Sequence, residues 1–163
     1  MNFNRVQAAK LAAALPLAFL MACAGIPGPA SITDTAARTP QLSTLNKLLA
    51  EAGLSETLRG AGPYTLFAPS DDAFKALPSK TLAELSLDKA LLKSVLEYHV
   101  LSGALHAVDA KNGNLKTLQG ANVAVAKAGT FVTIEDAVVQ QADVRATNGV
   151  VHVIDKVLLP PKR

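Results

Sequence analysis

Tryptophan is absent from the chain, and five Phe and two Tyr are all the aromatic residues it has. A core must therefore be built from Leu, Val, Ile and Ala. Cysteine occurs once, at Cys23. That excludes an intrachain disulfide and a cysteine-rich metal site. Charge of one sign is scarce: the formal net charge is +3 over 163 residues. Two of the basic residues, Arg5 and Lys10, lie in an N-terminal stretch that holds no Asp or Glu. Beyond it, acids and bases are interleaved and nearly balanced. A nucleic-acid binder needs a basic stripe to neutralise phosphates, so nucleic acid is not an expected partner. After residue 22 no apolar run reaches the ~20 residues that span a bilayer as a helix.

The signatures of catalysis are missing as well. The three histidines, His99, His106 and His152, form no H-x-x-x-H or H-E-x-x-H pattern and no Cys/His cluster. There is no G-x-S-x-G elbow. No catalytic, cofactor-binding or metal residue is expected, and no cofactor. Ser70, His99 and Asp155 are the residue types of a hydrolase triad, and the sequence leaves open whether they meet. Ser70 reads more simply as a helix cap, and Asp155 as a polar partner beside a turn.

Hydrophobic residues make up 50% of the chain, enough for one folded domain behind a short leader. Residues 1–22 read as a signal peptide. Arg5 and Lys10 form its positive region, and Leu11 to Ala22 its apolar region, interrupted by Pro16. Two cut sites compete. Leu20-Met21-Ala22-Cys23 resembles a bacterial lipobox, although Met21 is off pattern. On that reading the Cys23 sulfur is lipidated and tethers the chain to a membrane. Ala22-Cys23-Ala24 is instead an A-x-A site for ordinary cleavage after Ala24, which releases the chain to the periplasm or beyond. Residues 24–40 are small and broken by Pro27, Pro29 and Pro40. With Cys23 they read as an anchor and linker, 23–40.

From residue 41 the chain reads as a domain. Leu42, Leu45, Leu48, Leu49 and Ala52 recur at helical spacing, and Gly53 stops that helix. A second short helix, capped by Ser55, is expected to Arg59. Tyr64 to Ala68 has strand character. Ser70 caps a further helix with Asp71 and Asp72 in its first turn, where the helix dipole favours acid. Thr81-Leu82-Ala83-Glu84 has the capping-box pattern. Leu91, Leu92, Val95 and Leu96 mark an amphipathic helix. After Tyr98 the period changes to two. Val123 and Val125 alternate with Ala, Lys127–Thr130 is a hairpin turn, and Phe131–Ile134 a strand. Val138, Val139 and Val144 point to another strand, and Asn148-Gly149 to a tight turn. Val150–Ile154 and Val157–Leu159 close the domain before Pro160-Pro161. Helices come first and strands follow, so the fold class is α+β.

Three segments resemble one family, the fasciclin-like domains. The first is Tyr64-Thr65-Leu66-Phe67-Ala68-Pro69-Ser70-Asp71-Asp72-Ala73-Phe74. The second is Leu96-Glu97-Tyr98-His99-Val100-Leu101-Ser102-Gly103, which holds the Tyr-His motif. The third runs from Thr147 through Asn148-Gly149-Val150-Val151-His152-Val153-Ile154-Asp155 to Pro160. They occur in the family's order and spacing over residues 41–161. The resemblance implies a β-sandwich wedge with N-terminal and flanking helices. It also implies a non-enzymatic adhesion or interaction module at the bacterial cell surface, in the periplasm or outside the cell. Its partners would be proteins or matrix-like material.

Tyr98 and His99 are the candidate residues of the Tyr-His motif, which is linked to cell binding in animal members of the family. The plainer reading makes His99 a buried ring bonded to backbone or hydroxyl groups, because Leu96 to Leu101 is too apolar for a free loop. His152 lies in an apolar run and reads as core, His106 as exposed, and Phe67 and Phe74 as core aromatics. The rival functional class is a periplasmic small-ligand-binding or enzyme-type domain with a pocket.

Overall fold

A computed structural model of the chain describes residues 30–161. Cys23 and the expected signal peptide lie outside the described residues.

Six α-helices and seven strands make up the described part. Helix α1 is Ile32–Arg38, followed by a 3-10 turn at Pro40–Leu42 and by α2, Ser43–Glu51, and α3, Leu54–Arg59. Strand β1 is Tyr64–Pro69. Then come α4, Asp71–Lys75, α5, Ser79–Leu87, and α6, Lys89–Tyr98. The strands β2 (Val100–Ser102), β3 (Gly113–Lys116), β4 (Asn122–Ala128), β5 (Phe131–Ile134), β6 (Ala137–Ala146) and β7 (Gly149–Ile154) follow. They form one mixed sheet in the order β2-β1-β7-β6-β5-β4-β3. β1 and β7 are parallel, with Thr65 opposite Val150 and Phe67 opposite His152, and the other neighbours are antiparallel.

The sheet curls back on itself. Leu101 in β2 bridges Thr117 just after β3, and the Leu118 N–H donates to the Val100 carbonyl at 2.8 Å. The two ends of the strand order thus meet, giving a wedge that is nearly a barrel. Inside it lie Phe67, Leu101, Val123, Val125, Val132, Ile134 and Ile154. A second core packs the helices against the outer face of β1 and β7: Ile32, Leu45, Leu49, Leu58, Leu92 and Leu96 meet Leu66, Ala68, Val151 and Val153. Both faces of the β1–β7 pair are therefore covered. That is why five consecutive residues in each are buried, whereas β4 alternates buried Val123 and Val125 with exposed neighbours.

Local signals explain most boundaries. Gly53 adopts the left-handed conformation (φ 70°) between α2 and α3, a geometry that glycine supplies without steric cost. The Ser70 hydroxyl accepts the Ala73 N–H at 3.3 Å and caps α4. The Asp88 carboxylate accepts from Ala90 and Leu91 at 2.9 and 3.0 Å and caps α6. Two local expectations fail. Helix α3 starts at Leu54 behind Gly53, so Ser55 is not its cap. Helix α5 starts at Ser79 behind Pro78, whose fixed φ suits a helix start; Thr81 sits inside it and no capping box forms. Val157–Leu159, which closes the domain, has no regular secondary structure.

The largest difference lies in the segment read as linker. Residues 32–38 are helix α1, capped by Ser31, with Ile32, Thr33 and Ala36 buried. The Ile32 N–H donates to the Asn148 Oδ1 at 2.9 Å, and the Thr147 N–H donates to the Ala30 carbonyl at 2.9 Å. Thr, Ala and the flanking prolines gave this segment a linker's composition, but one face of it completes the outer core. Ile32→Ala is expected to lower the unfolding free energy by about 2–5 kcal/mol, as for other buried Ile positions. A chain that begins at Gln41 is expected to unfold at lower denaturant than one that begins at Ala30. Equal midpoints for the two would show that α1 adds nothing to the core.

Candidate functional site

The Tyr-His motif ends helix α6. His99 is its C-terminal cap, and its N–H donates to the Leu96 carbonyl at 3.1 Å. The ring is fully buried. Its Nε2 accepts the Leu158 N–H at 2.9 Å, so Nε2 carries no proton. Nδ1 therefore holds the ring proton and donates it to the Val95 carbonyl at 2.7 Å. The His99 carbonyl accepts the Phe67 N–H at 2.8 Å. One residue thus joins α6, β1 and the C-terminal tail. Burial lowers its pKa to about 4, against the opposing effect of the Val95 carbonyl. At neutral pH it is an uncharged tie with no free nitrogen.

Tyr98 turns into the wedge and is also buried. Its hydroxyl lies 3.0 Å from the Asn122 carbonyl and 3.3 Å from the Glu135 Oε1, and donates to one or the other. The same Glu135 oxygen accepts the Ala124 N–H at 2.8 Å. Burial, then the Glu135 charge and hydrogen bond, push the phenol up to about 12. Tyr98 ties α6 to the start of β4 and the turn after β5. Tyr98 also lines a groove of about 410 Å³ with Lys156 and Leu159.

His152 faces the wedge interior and stacks on Phe67, with centroids 5.7 Å apart and planes at 29°. Its Nδ1 accepts the Asp143 N–H at 3.3 Å, and its Nε2–H donates to the Leu105 carbonyl at 2.7 Å. Burial lowers its pKa. That bond is one of several that pin the loop after β2. The Thr65 hydroxyl donates to the Gly103 carbonyl at 2.7 Å and accepts the Leu105 N–H at 2.8 Å. The Asp143 Oδ1 accepts the Ala107 N–H at 2.9 Å. The Lys127 ammonium donates to the Ala107 and Val108 carbonyls at 2.8 and 2.9 Å. His106, on this loop, is half-exposed, with its Nδ1 3.4 Å from the Asp143 Oδ1.

Ser70, His99 and Asp155 do not assemble into a triad. The Ser70 hydroxyl caps α4, both His99 nitrogens are held by backbone groups, and the Asp155 Oδ1 accepts the Val138 N–H at 2.7 Å. Among the described residues no group of His, Cys, Asp and Glu is placed to hold a metal ion. The Asn148-Gly149 turn is a clasp. The Asn148 Nδ2 donates to the Leu58 and Gly60 carbonyls at 2.6 and 3.0 Å, while its Oδ1 holds Ile32. A Cβ at Gly149 would run into the Tyr64 carbonyl oxygen, so the close approach of β7 to β1 requires glycine there. Sequence reasoning missed a groove of about 750 Å³, which lies at this end of the wedge beside His106 and Arg145. Its walls come from three distant segments, and only the Asn-Gly turn signalled the place.

A neutral buried histidine sets the sign of the acid response. The unfolded His99 takes up a proton near pH 6.5, whereas the folded ring resists until about 4. Its stabilising contribution is complete above pH 6.5 and is lost as pH falls to about 4, by about 3 kcal/mol; His152 adds in the same direction. Urea midpoints should drop accordingly between pH 7 and pH 4, and His99→Gln should flatten part of that drop. His99→Ala strands the Leu158 N–H and the Val95 carbonyl, at a cost of about 1–3 kcal/mol at pH 7 for the lost bonding. An unchanged melting temperature in His99→Ala, with adhesion lost, would instead make the motif a contact surface.

The chain matches the fasciclin domain family over residues 40–160. It is 41% identical over 133 residues to protein sll1483 of Synechocystis, covering 80% of this chain and 74% of that one. It is 38% identical over 135 residues to the cell surface glycolipoprotein MPB83 of Mycobacterium bovis, covering 80% of this chain and 60% of that one. A solved pair of FAS1 domains from the insect cell adhesion molecule Fasciclin I superposes with a TM-score of 0.64 at 21% identity. That match covers 80% of this chain and 51% of the other, and it shows a shared fold. The order of the three motifs, the curled seven-stranded sheet and the family match together establish that the chain belongs to the fasciclin-domain family.

Proposed function

We propose that the chain is an exported, non-enzymatic interaction module, tethered to the cell envelope through lipid on Cys23, that binds a protein or matrix-like partner. The observation that carries this reading is how the polar groups of the motifs are used. His99, Ser70 and Asn148 bond to backbone, and Tyr98 bonds to the Asn122 carbonyl or the Glu135 carboxylate. They make a framework and leave recognition to the surface. Support for the setting comes from relatives: one is described as a cell surface glycolipoprotein, and the fold is that of a cell adhesion molecule.

Mass spectrometry of the protein from native membranes tests the anchor. The expected mature N-terminus is an acylated Cys23; a chain starting at Gly25 would replace tethering by simple secretion. Pull-down from the organism's own surface extract, with the mature domain as bait, tests the partner class. Recovery of a small metabolite in place of a protein or matrix component would favour the ligand-binding reading.

A further inference from the structure

A groove lies where β1 and β7 begin. Gly62-Pro63, the loop at Ala104 and His106, and the run from Arg145 through Thr147 to Val150 line it, enclosing about 750 Å³. Two of its lining side chains are ionisable, His106 and Arg145, and no carboxylate lines it. Arg145 is exposed on β6 opposite Val150. Among the described residues its guanidinium has no acidic partner. His106 Nδ1 faces the Asp143 Oδ1 at 3.4 Å, so Nε2 is the ring nitrogen that does not face that carboxylate. The exposed Thr147 hydroxyl adds a neutral donor beside them. The side chain of Asn148 is fully engaged with Ile32, Leu58 and Gly60, which fixes the turn between these groups. Arg145 is therefore the one permanent charge lining the concavity, with the Thr147 hydroxyl as a neutral donor beside it, while the Asp143 Oδ1 accepts the Ala107 N–H. Such a concavity fits an anion, and an Arg fork fits phosphate oxygens best.

A second observation identifies the source of the phosphate. The chain enters the domain at this rim, where Ala30 is held by the Thr147 N–H and Ile32 by Asn148. Cys23 is seven residues before Ala30. At about 3.5 Å per residue, a lipid on Cys23 keeps Ala30 within roughly 25 Å of the membrane surface. The end of the wedge that carries the groove is thus the end nearest the bilayer. We propose that the groove formed by Arg145, His106 and Thr147 is a phosphate site that takes the headgroup of an anionic phospholipid in the membrane to which the chain is tethered. This rests on the lipid-anchor reading for the orientation of the domain, but the site itself is tested without the anchor.

The test uses the chain from residue 23 onward carrying Cys23→Ser, so that no lipid holds it. Co-sedimentation with phosphatidylglycerol–phosphatidylcholine vesicles at low salt is compared with phosphatidylcholine vesicles alone. Binding to the anionic vesicles is expected, with affinity falling about fivefold in Arg145→Gln, as for removal of one basic group near an anionic surface. Arg145→Lys, which keeps the charge but loses the fork, should fall between the wild type and Arg145→Gln, and Lys80→Gln on α5 should leave binding unchanged. Far-UV spectra and urea midpoints check that each variant is folded. Three outcomes overturn the proposal: no preference for anionic vesicles, an equal loss in Lys80→Gln and Arg145→Gln, or inorganic phosphate shifting the NMR signals of His106 and Arg145 without any vesicle binding. The last would make the ligand a free phosphate. Vesicle binding that depends on Arg145, alongside a native chain that mass spectrometry finds unacylated, would keep the groove and reject the anchor.

Discussion

The parallel pairing of β1 with β7 is the contact on which the rest of the structure depends. It joins residues 64–69 to residues 149–154, two segments separated by nearly the whole sheet. Because both faces of this pair are buried, it serves two cores at once. Leu66, Ala68, Val151 and Val153 receive the helices, and Phe67 and Ile154 line the wedge. Removing either core would expose the other side of the same strands. The pairing also places Gly149 against Tyr64 at a separation that only glycine allows, and it brings the Asn148 turn under α1 and α3. Two of the three recognisable motifs therefore hold the two strands of one ladder, the first running on into the Ser70 cap of α4 and the third opening with the Asn148 turn.

Much of this was legible before the structure. Period-two alternation in Val123 and Val125 placed β4 with one face inward. The Leu and Val spacing placed α2 and α6, and the apolar surroundings of His99 favoured its burial. The unread parts share a physical cause. Helix α1 shows one buried stripe, at Ile32, Thr33 and Ala36, too short for a periodic signal and set among prolines that speak for a linker. The groove at His106 and Arg145 is assembled from segments some forty residues apart, and of these only the Asn148-Gly149 turn carries a local signal. Loop pinning by Thr65, Asp143, Lys127 and His152 is equally invisible, since each side chain acts on a carbonyl or amide supplied by another element.

Three buried polar residues, His99, His152 and Thr65, share one arrangement. Each meets backbone groups in both of its bonding directions. The His99 ring donates to Val95 and accepts from Leu158, and the Thr65 hydroxyl donates to Gly103 and accepts from Leu105. Among the described residues no fully buried side-chain polar atom lacks a partner. A buried group of this kind adds little net energy when satisfied and costs more when its partner is stranded. Its main consequence is geometric: the tail, the loop and the helix end each have one position in which all the bonds close.

This arrangement explains how a domain whose motifs face inward can still present a defined surface. The loop from Gly103 to Ala110 has no regular structure to hold it, yet side chains from β1, β4, β6 and β7 fix its carbonyls and amides. The neighbouring turn at Thr147 and Asn148 is fixed from α1 and α3. Both segments meet at one end of the wedge, where the chain also enters. A loop ordered before it binds loses less conformational entropy on binding. The inward-facing motifs and the outward-facing groove are therefore one construction: the first removes the freedom of the backbone that lines the second.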